Sequence, residues 1–171
     1  VKLTNATEQA LAIMAMLATQ TKETPASSRA IYEKLTVSPS YVKKLLRKLV
    51  VAKIISGVSG TNGGFYIERD LSEVTLLDIV TSIEGPLCSF PHVGVLEQAF
   101  TDFTDIAENG EQVIANQFAK ADAAWSDVLS RISVQDIMKQ VFTDYTDLPM
   151  RDWNNELADA IESGDKHEKT Y

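Results

Sequence analysis

Val42, Leu45, Leu46 and Leu49 recur at i, i+3, i+4 and i+7, the spacing that gives a helix one continuous buried face. Ser38 suits the cap of that helix, and Pro39 suits its first position, where a missing N–H costs nothing. The opposite face carries Ser40, Tyr41, Lys43, Lys44, Arg47 and Lys48. Four cations with a serine and a tyrosine, held on a rigid apolar back, match the demands of a phosphate backbone and a groove floor. A solvated basic face has the same pattern, so the neighbouring stretches have to decide.

Upstream, Asn5 and Glu8 have capping-box spacing, and Ala10, Leu11, Ile13, Met14, Met16 and Leu17 make the run from Ala6 to Ala18 apolar on most sides. A polar stretch with Pro25 reads as a loop, and Ser27 then caps a short helix from Ser28 to Leu35. Only Thr36 and Val37 separate this helix from the basic one. Two helices joined so tightly predict a helix-turn-helix, whose second helix enters the major groove while Ser28 and Arg29 of the first face phosphates. Downstream, two β-branched or aromatic runs flank a glycine-rich turn containing Asn62-Gly63, which predicts a hairpin. A hairpin in that position is a wing. A phosphate-cradling loop is disfavoured, because no Gly-Lys-Ser/Thr follows and no helix opens after the glycines.

Thr75 and Asp78 open another helix, Leu76 to Glu84, which Gly85 and Pro86 stop. Leu87 to Gly94 reads as an exposed connection, Val95 to Ala107 as a helix broken by Asn109-Gly110, and Glu111 to Ile132 as the longest helix. Along it Ile114, Phe118, Ala121, Trp125, Val128 and Ile132 are spaced by four and three in alternation, the rhythm of a helix that packs lengthwise against a partner. A core helix of the same domain has that rhythm too, but a second subunit buries this seam most economically. Ser133 caps a short helix through Phe142, and Trp153, Leu157 and Ile161 form one weak stripe before a polar tail. The expected layout is mainly α with a small β-hairpin: a winged helix-turn-helix domain over 1–86, a connection and extra helix over 87–110, a dimerisation helix and following short helix over 111–142, and a C-terminal helix and tail over 143–171.

The net charge of −8 argues against a polyanionic partner until it is divided along the chain. Residues 1–70 hold ten Lys/Arg against five Asp/Glu, while residues 71–171 hold six against nineteen. A basic half containing the reading helix is drawn to DNA, and the acidic half limits it to one docking orientation. No apolar run is long enough to span a bilayer and no charged-then-apolar leader is present, so the expectation is a cytoplasmic protein without membrane contact. The single cysteine, Cys88, fits a reducing compartment. With two histidines and no Ser/His/Asp or metal-ligand spacing, nothing predicts an enzyme or a metal site.

These features, in this order, resemble the Rrf2-type bacterial transcription regulators over roughly residues 2–142. The resemblance rests on Lys2-Leu3-Thr4, the Ser38-x-Ser40-Tyr41 start of the basic helix, and the wing end Gly63-Gly64-Phe65. It continues through Val74-Thr75-Leu76-x-Asp78-Ile79-Val80, Ile83-Glu84-Gly85 and Ile132-Ser133-Val134-x-Asp136-Ile137. It implies a homodimer held by the long helices, with one winged head on each half of a pseudo-palindromic DNA operator. Well-known members carry three cysteines before the long helix that hold an iron–sulfur cluster. Here Cys88 and His92 supply two ligands where four are needed, so no cluster and no other cofactor is expected. The wing arginine of the family is replaced by Ser59, with Thr61 and Asn62 beside it.

The function expected is therefore a DNA-binding transcriptional regulator; the alternative is a winged fold kept as a protein-interaction module without DNA binding. For the signal, Cys88 is either a redox sensor in the connection or an ordinary buried thiol, the reading favoured because free cysteine is among the most buried residue types. A small ligand between the winged domain and the Phe90–Phe103 segment is the other candidate, and the sequence names no effector.

Overall fold

The computed structural model describes residues 2–142 and 148–156 of the 171. Helix α1 (Asn5–Thr19) begins one residue from the expected cap: Thr4, rather than Asn5, accepts the N–H of Ala6 at 3.3 Å. Thr4 is tied in place from outside the helix, since the Glu84 carboxylate accepts both its N–H and its hydroxyl, and this contact between distant parts of the chain is invisible in the local spacing. Helix α2 (Ser28–Leu35) is capped as expected by Ser27, which accepts the Ala30 N–H at 3.1 Å. Helix α3 (Pro39–Val51) starts at proline but takes no side-chain cap from Ser38, whose hydroxyl lies 3.4 Å from that of Ser40. It also runs two residues past Leu49.

The wing is an antiparallel pair, β1 (Ile55–Val58) and β2 (Gly64–Ile67), with Ile55 opposite Ile67 and Val58 opposite Gly64. Helix α4 (Leu76–Glu84) opens with the Thr75–Asp78 capping box and ends at Gly85, whose φ of 88° suits glycine alone. The long helix differs most from expectation. The predicted Val95–Ala107 helix is split into α5 (Val95–Ala99) and a 3-10 turn (Thr101–Phe103), and α6 runs from Thr104 to Ser130 straight through Asn109-Gly110. One helical glycine costs only about 1 kcal/mol relative to alanine, and the neighbouring Glu111 is pinned. Its buried carboxylate accepts the Gly94 N–H at 3.2 Å and meets His92 Nδ1 at 3.1 Å. Helix α7 (Val134–Val141) carries a second capping box, Ser133 with Asp136.

One core gathers Ile13, Met14 and Leu17 of α1, Ile31 of α2, the four apolar residues of α3, Ile54 and Ile55 before and in the wing, and Ile79 and Ile83 of α4. Val134 and Met138 of α7 join it, because the chain after α6 pairs with the strand-like entry to α4: Val134 N–H to the Val74 carbonyl at 2.8 Å, Leu76 N–H to the Ile132 carbonyl at 2.9 Å. Residues 148–156 return as well. Trp153, expected on a weak stripe, packs against the core and donates its indole N–H to the Met16 carbonyl at 3.0 Å. Leu157 and Ile161 lie outside the described residues. Among the described residues no helix is long and apolar enough to cross a membrane.

The wing is fixed to the helices by Ala26, whose N–H and carbonyl both pair with Phe65 at 3.0 and 2.8 Å. Gly64 permits this approach, since a Cβ there would run into the Ala26 carbonyl. Gly64→Ala is therefore expected to lower unfolding stability by about 1–3 kcal/mol, read from the urea midpoint, whereas Gly110→Ala, where a Cβ meets nothing, leaves it equal or raised.

Candidate nucleic-acid interface

The turn between α2 and α3 is held by its own backbone. Thr36 sits in the left-handed region at φ 54°, ψ 40°, and the N–H groups of Thr36 and Val37 close onto the Glu33 and Tyr32 carbonyls of α2. Val42, Leu45, Leu46 and Leu49 are all at most 2% exposed, and each such side chain contributes roughly 1.5–3 kcal/mol by leaving water. With that face locked, the rotation of α3 about its axis is fixed, and its outward residues follow from helical geometry.

Ser40, Lys44, Arg47 and Val51 form the outermost ridge, with Lys43 exposed to one side. Among the described residues, none of Lys43, Lys44 and Arg47 has an ion-pair partner, whereas Arg29, Lys34, Arg69, Arg131 and Arg151 are all paired. An exposed row of unpaired cations on a rigid helix presents positive charge that no described residue neutralises. Tyr41 lies on the flank, half-buried and packed against the core, so it sets the helix rather than reaching outward.

Lys48 departs from the predicted row. It sits on the flank toward α4, half-buried, and its Nζ donates a short hydrogen bond to the Ile83 carbonyl in the last turn of that helix. A cation at a helix C-terminus satisfies an orphan carbonyl and the negative end of the dipole. The flank position is readable from the helix period, but the neighbour that claims it is not. Beside it, the hydroxyls of Thr7 and Thr4, then the Thr4 N–H and the nearby Lys48 charge, hold the Glu84 carboxyl below the usual carboxylate range.

Ser28 is half-buried at the start of α2, and Arg29 is exposed but paired with Glu33 at 2.9 Å, which keeps its pKa above the ordinary value. An exposed pair of this kind is screened by water and salt, so a phosphate can take the guanidinium over. Ser59, Thr61 and Asn62 are exposed at the wing tip. Sequence reasoning passed over Lys53, an exposed cation at φ 55° in the turn from α3 to the wing, which lengthens the basic row toward the hairpin. Its signal in the sequence is the residue itself, a cation two positions past the last residue of α3.

Away from the head, Cys88 is exposed rather than buried, its Sγ 3.5 Å from the Phe90 carbonyl. Leu87 and Phe90 do not enclose it, because Phe90 turns instead to stack on Phe118 with ring centroids 5.4 Å apart. Of the predicted seam, Ile114, Phe118 and Val128 are exposed on α6 and Ala121 lies open beside them. Trp125 and Ile132 are half-buried toward their own head, Trp125 facing the cleft it shares with Leu77, Val80 and Glu84.

A helix-turn-helix with a wing paired to its entry loop and a free basic row on the second helix defines the winged helix-turn-helix class. The family model described as "Rrf2: Iron-dependent Transcriptional regulator" matches residues 3–140. The chain is 31% identical over 154 residues to the HTH-type transcriptional regulator YwgB of Bacillus subtilis, covering 89% of this chain and 94% of that protein. Among solved structures it is similar in fold to CymR, the global cysteine regulator of B. subtilis, with TM-score 0.57 at 20% identity over 82% of this chain and 98% of that one. A transcriptional regulator from Lactobacillus plantarum superposes with TM-score 0.62 at 20% identity, covering 80% and 89%. The chain belongs to the Rrf2 family of transcriptional regulators, a class of regulators and not of enzymes. The described residues do not fit a family-type iron–sulfur cluster: they offer one thiol, and no group of three or more His, Cys, Asp or Glu is placed to hold a metal ion.

The Glu84 tie carries a pH dependence. A carboxyl whose folded pKa is lowered stabilises the fold above its ordinary range and loses that contribution as pH falls through it. Glu84→Gln is thus expected to melt below the wild type at pH 7, with the gap closing as pH drops below about 4 in thermal scans.

Proposed function

We propose that this chain binds double-stranded DNA in a sequence-specific manner as a homodimer, one winged head on each half of a pseudo-palindromic operator, and acts as a repressor. The observation that carries this reading is the unpaired cation row Lys43, Lys44 and Arg47 on a helix whose back is wholly buried. In the major groove, Arg47 and Lys44 supply donors for guanine edges or phosphates, and Lys43 contacts the backbone. Ser38 and Ser40 at the start of α3 donate to the same strand, and Tyr41 keeps the helix in register. Ser28 and Arg29 hold the flanking phosphates, and Ser59, Thr61 and Asn62 meet the neighbouring groove without the charge an arginine would bring. Lys48, expected among the DNA contacts, braces α4 through the Ile83 carbonyl at the edge of the row.

The exposed apolar residues of α6 support the dimer. Ile114, Phe118 and Val128 are 39%, 45% and 58% exposed in the isolated chain, and such a contiguous apolar stripe is covered in solution by an equivalent stripe. Two-fold symmetry then places two heads side by side and demands a pseudo-palindromic site. Occupying the operator is enough for repression and needs no further contact. A cluster held by three cysteines of one chain does not enter this reading, because each chain carries one thiol.

The test uses a duplex that the wild-type chain selects from random sequence. Two chains are expected to bind each duplex. Lys43→Ala/Lys44→Ala/Arg47→Ala is expected to lower affinity at least about tenfold and to flatten the salt dependence by about 0.9 in log–log slope for each phosphate the variant no longer neutralises. Equal affinity of the triple variant and the wild type rejects the reading.

A further inference from the structure

The family match ends at residue 140, yet the chain beyond it comes back to the head and is tied down there. Residues 148–156 reach across both ends of the loop that joins α1 to α2. At the end of α1, two carbonyls accept from this strap: Met16, which also takes the Thr19 hydroxyl, from the Trp153 indole N–H at 3.0 Å, and Thr19 from the Arg151 N–H at 2.9 Å. Thr21 returns its N–H to the Arg151 carbonyl at 3.0 Å. Buried Gln20 locks the same junction, its Oε1 accepting the Trp153 N–H at 3.1 Å and its Nε2 donating to Asp152 and Thr24. Arg151 and Lys34 lie over the Trp153 ring at 5.0 and 5.6 Å, and Glu156 pairs with both cations.

At the start of α2, Asn154 makes a two-sided clamp. Its Oδ1 accepts the Ser27 N–H at 2.8 Å and its Nδ2 donates to the Pro25 carbonyl at 3.1 Å. Between those residues stands Ala26, whose own N–H and carbonyl are both spent on Phe65 of the wing. Pro25–Ala26–Ser27 is therefore gripped by the wing through its middle residue and by the strap through its two flanking ones. Ser27 is also the cap of α2. One three-residue segment thus sets where α2 begins and where the wing stands.

We infer that residues 148–156 are a positioning strap of the DNA-reading head, with Asn154 as the residue through which they fix Arg29 and the wing tip against the DNA backbone. This rests on the DNA-binding reading above. Among the described residues, the ties of the strap run to α1, α2 and the loop between them, with none to Lys43, Lys44 or Arg47, so it acts through the Pro25–Ser27 segment. Its loss loosens the placement of Ser28, Arg29 and the Ser59–Asn62 tip while the buried face of α3, which Asn154 does not contact, stays packed.

The experiment compares full-length wild type with Asn154→Ala on the duplex that the wild type selects. Affinity is expected to fall about tenfold, within the range of coupled contacts, and the salt slope to flatten by about 0.9 for each phosphate that is no longer held. Arg29→Ala should weaken binding in the wild-type background and change it little in Asn154→Ala. Amide exchange at Ala26, Ser27 and Phe65 should quicken while exchange at Leu45 and Leu46 does not. Unchanged affinity overturns the inference. So does a loss of affinity with the salt slope kept and the Arg29 effect undiminished, since that is what a smaller folded fraction produces. A wild-type chain that selects no duplex removes the DNA-binding reading and the strap's role with it, and is told apart because it occurs without any substitution.

Discussion

The pairing of Ala26 with Phe65 is the constraint on which the head depends. Two backbone hydrogen bonds join a loop residue to the wing, and the approach is close enough that a Cβ at position 64 runs into the Ala26 carbonyl. On one side the loop becomes α2, and α2 carries α3 through a turn held by the Glu33 and Tyr32 carbonyls. On the other side the wing leads into α4, whose C-terminal end is braced by Lys48 of α3 and whose Glu84 holds Thr4 at the start of α1. The head is in this way a closed circuit of polar ties around one apolar core. Apart from the local α2–α3 turn, each tie joins segments distant in sequence, so the arrangement is cooperative rather than a string of independent helices.

Within that circuit, α3 is the element with the least freedom and the most exposed charge. Its four apolar residues are buried almost completely, and its outward cations find no partner among the described residues. A protein that needed only solubility would place such charges on any face and pair many of them, as α6 does with Asp127 and Arg131. A buried face and an unpaired cationic face go together at α3, and this combination links the fold to recognition of a polyanion.

Much of this was legible in the residues, because helices, caps and hairpin turns are local. The α3 face, the Ser27 cap, both Thr75 and Ser133 boxes and the wing turn all follow from spacing of a few residues. What spacing could not show is contact across the chain. Thr4 displaced Asn5 as the cap of α1 because Glu84, eighty positions away, holds it. Lys48 left the basic row because a helix end lay within its reach. Asn109-Gly110 looked like a break, yet Glu111 is anchored by the connection that folds back over it, and α6 passes through. Trp153 read as part of a weak stripe, since its indole partners, the Met16 carbonyl and the Thr19 hydroxyl, lie on α1 more than 130 positions away. Cys88 was expected to be buried on the habit of its residue type, but Phe90 turned toward Phe118 and left it open.

The most direct test of the account is a map of which amides respond when the isotope-labelled chain is titrated with its selected duplex. The largest shifts are predicted at residues 38–47 of α3, at the start of α2 and at the wing tip around residues 59–62, with α6 responding little. Shifts confined to α5 and α6, with residues 38–47 unmoved, would contradict it.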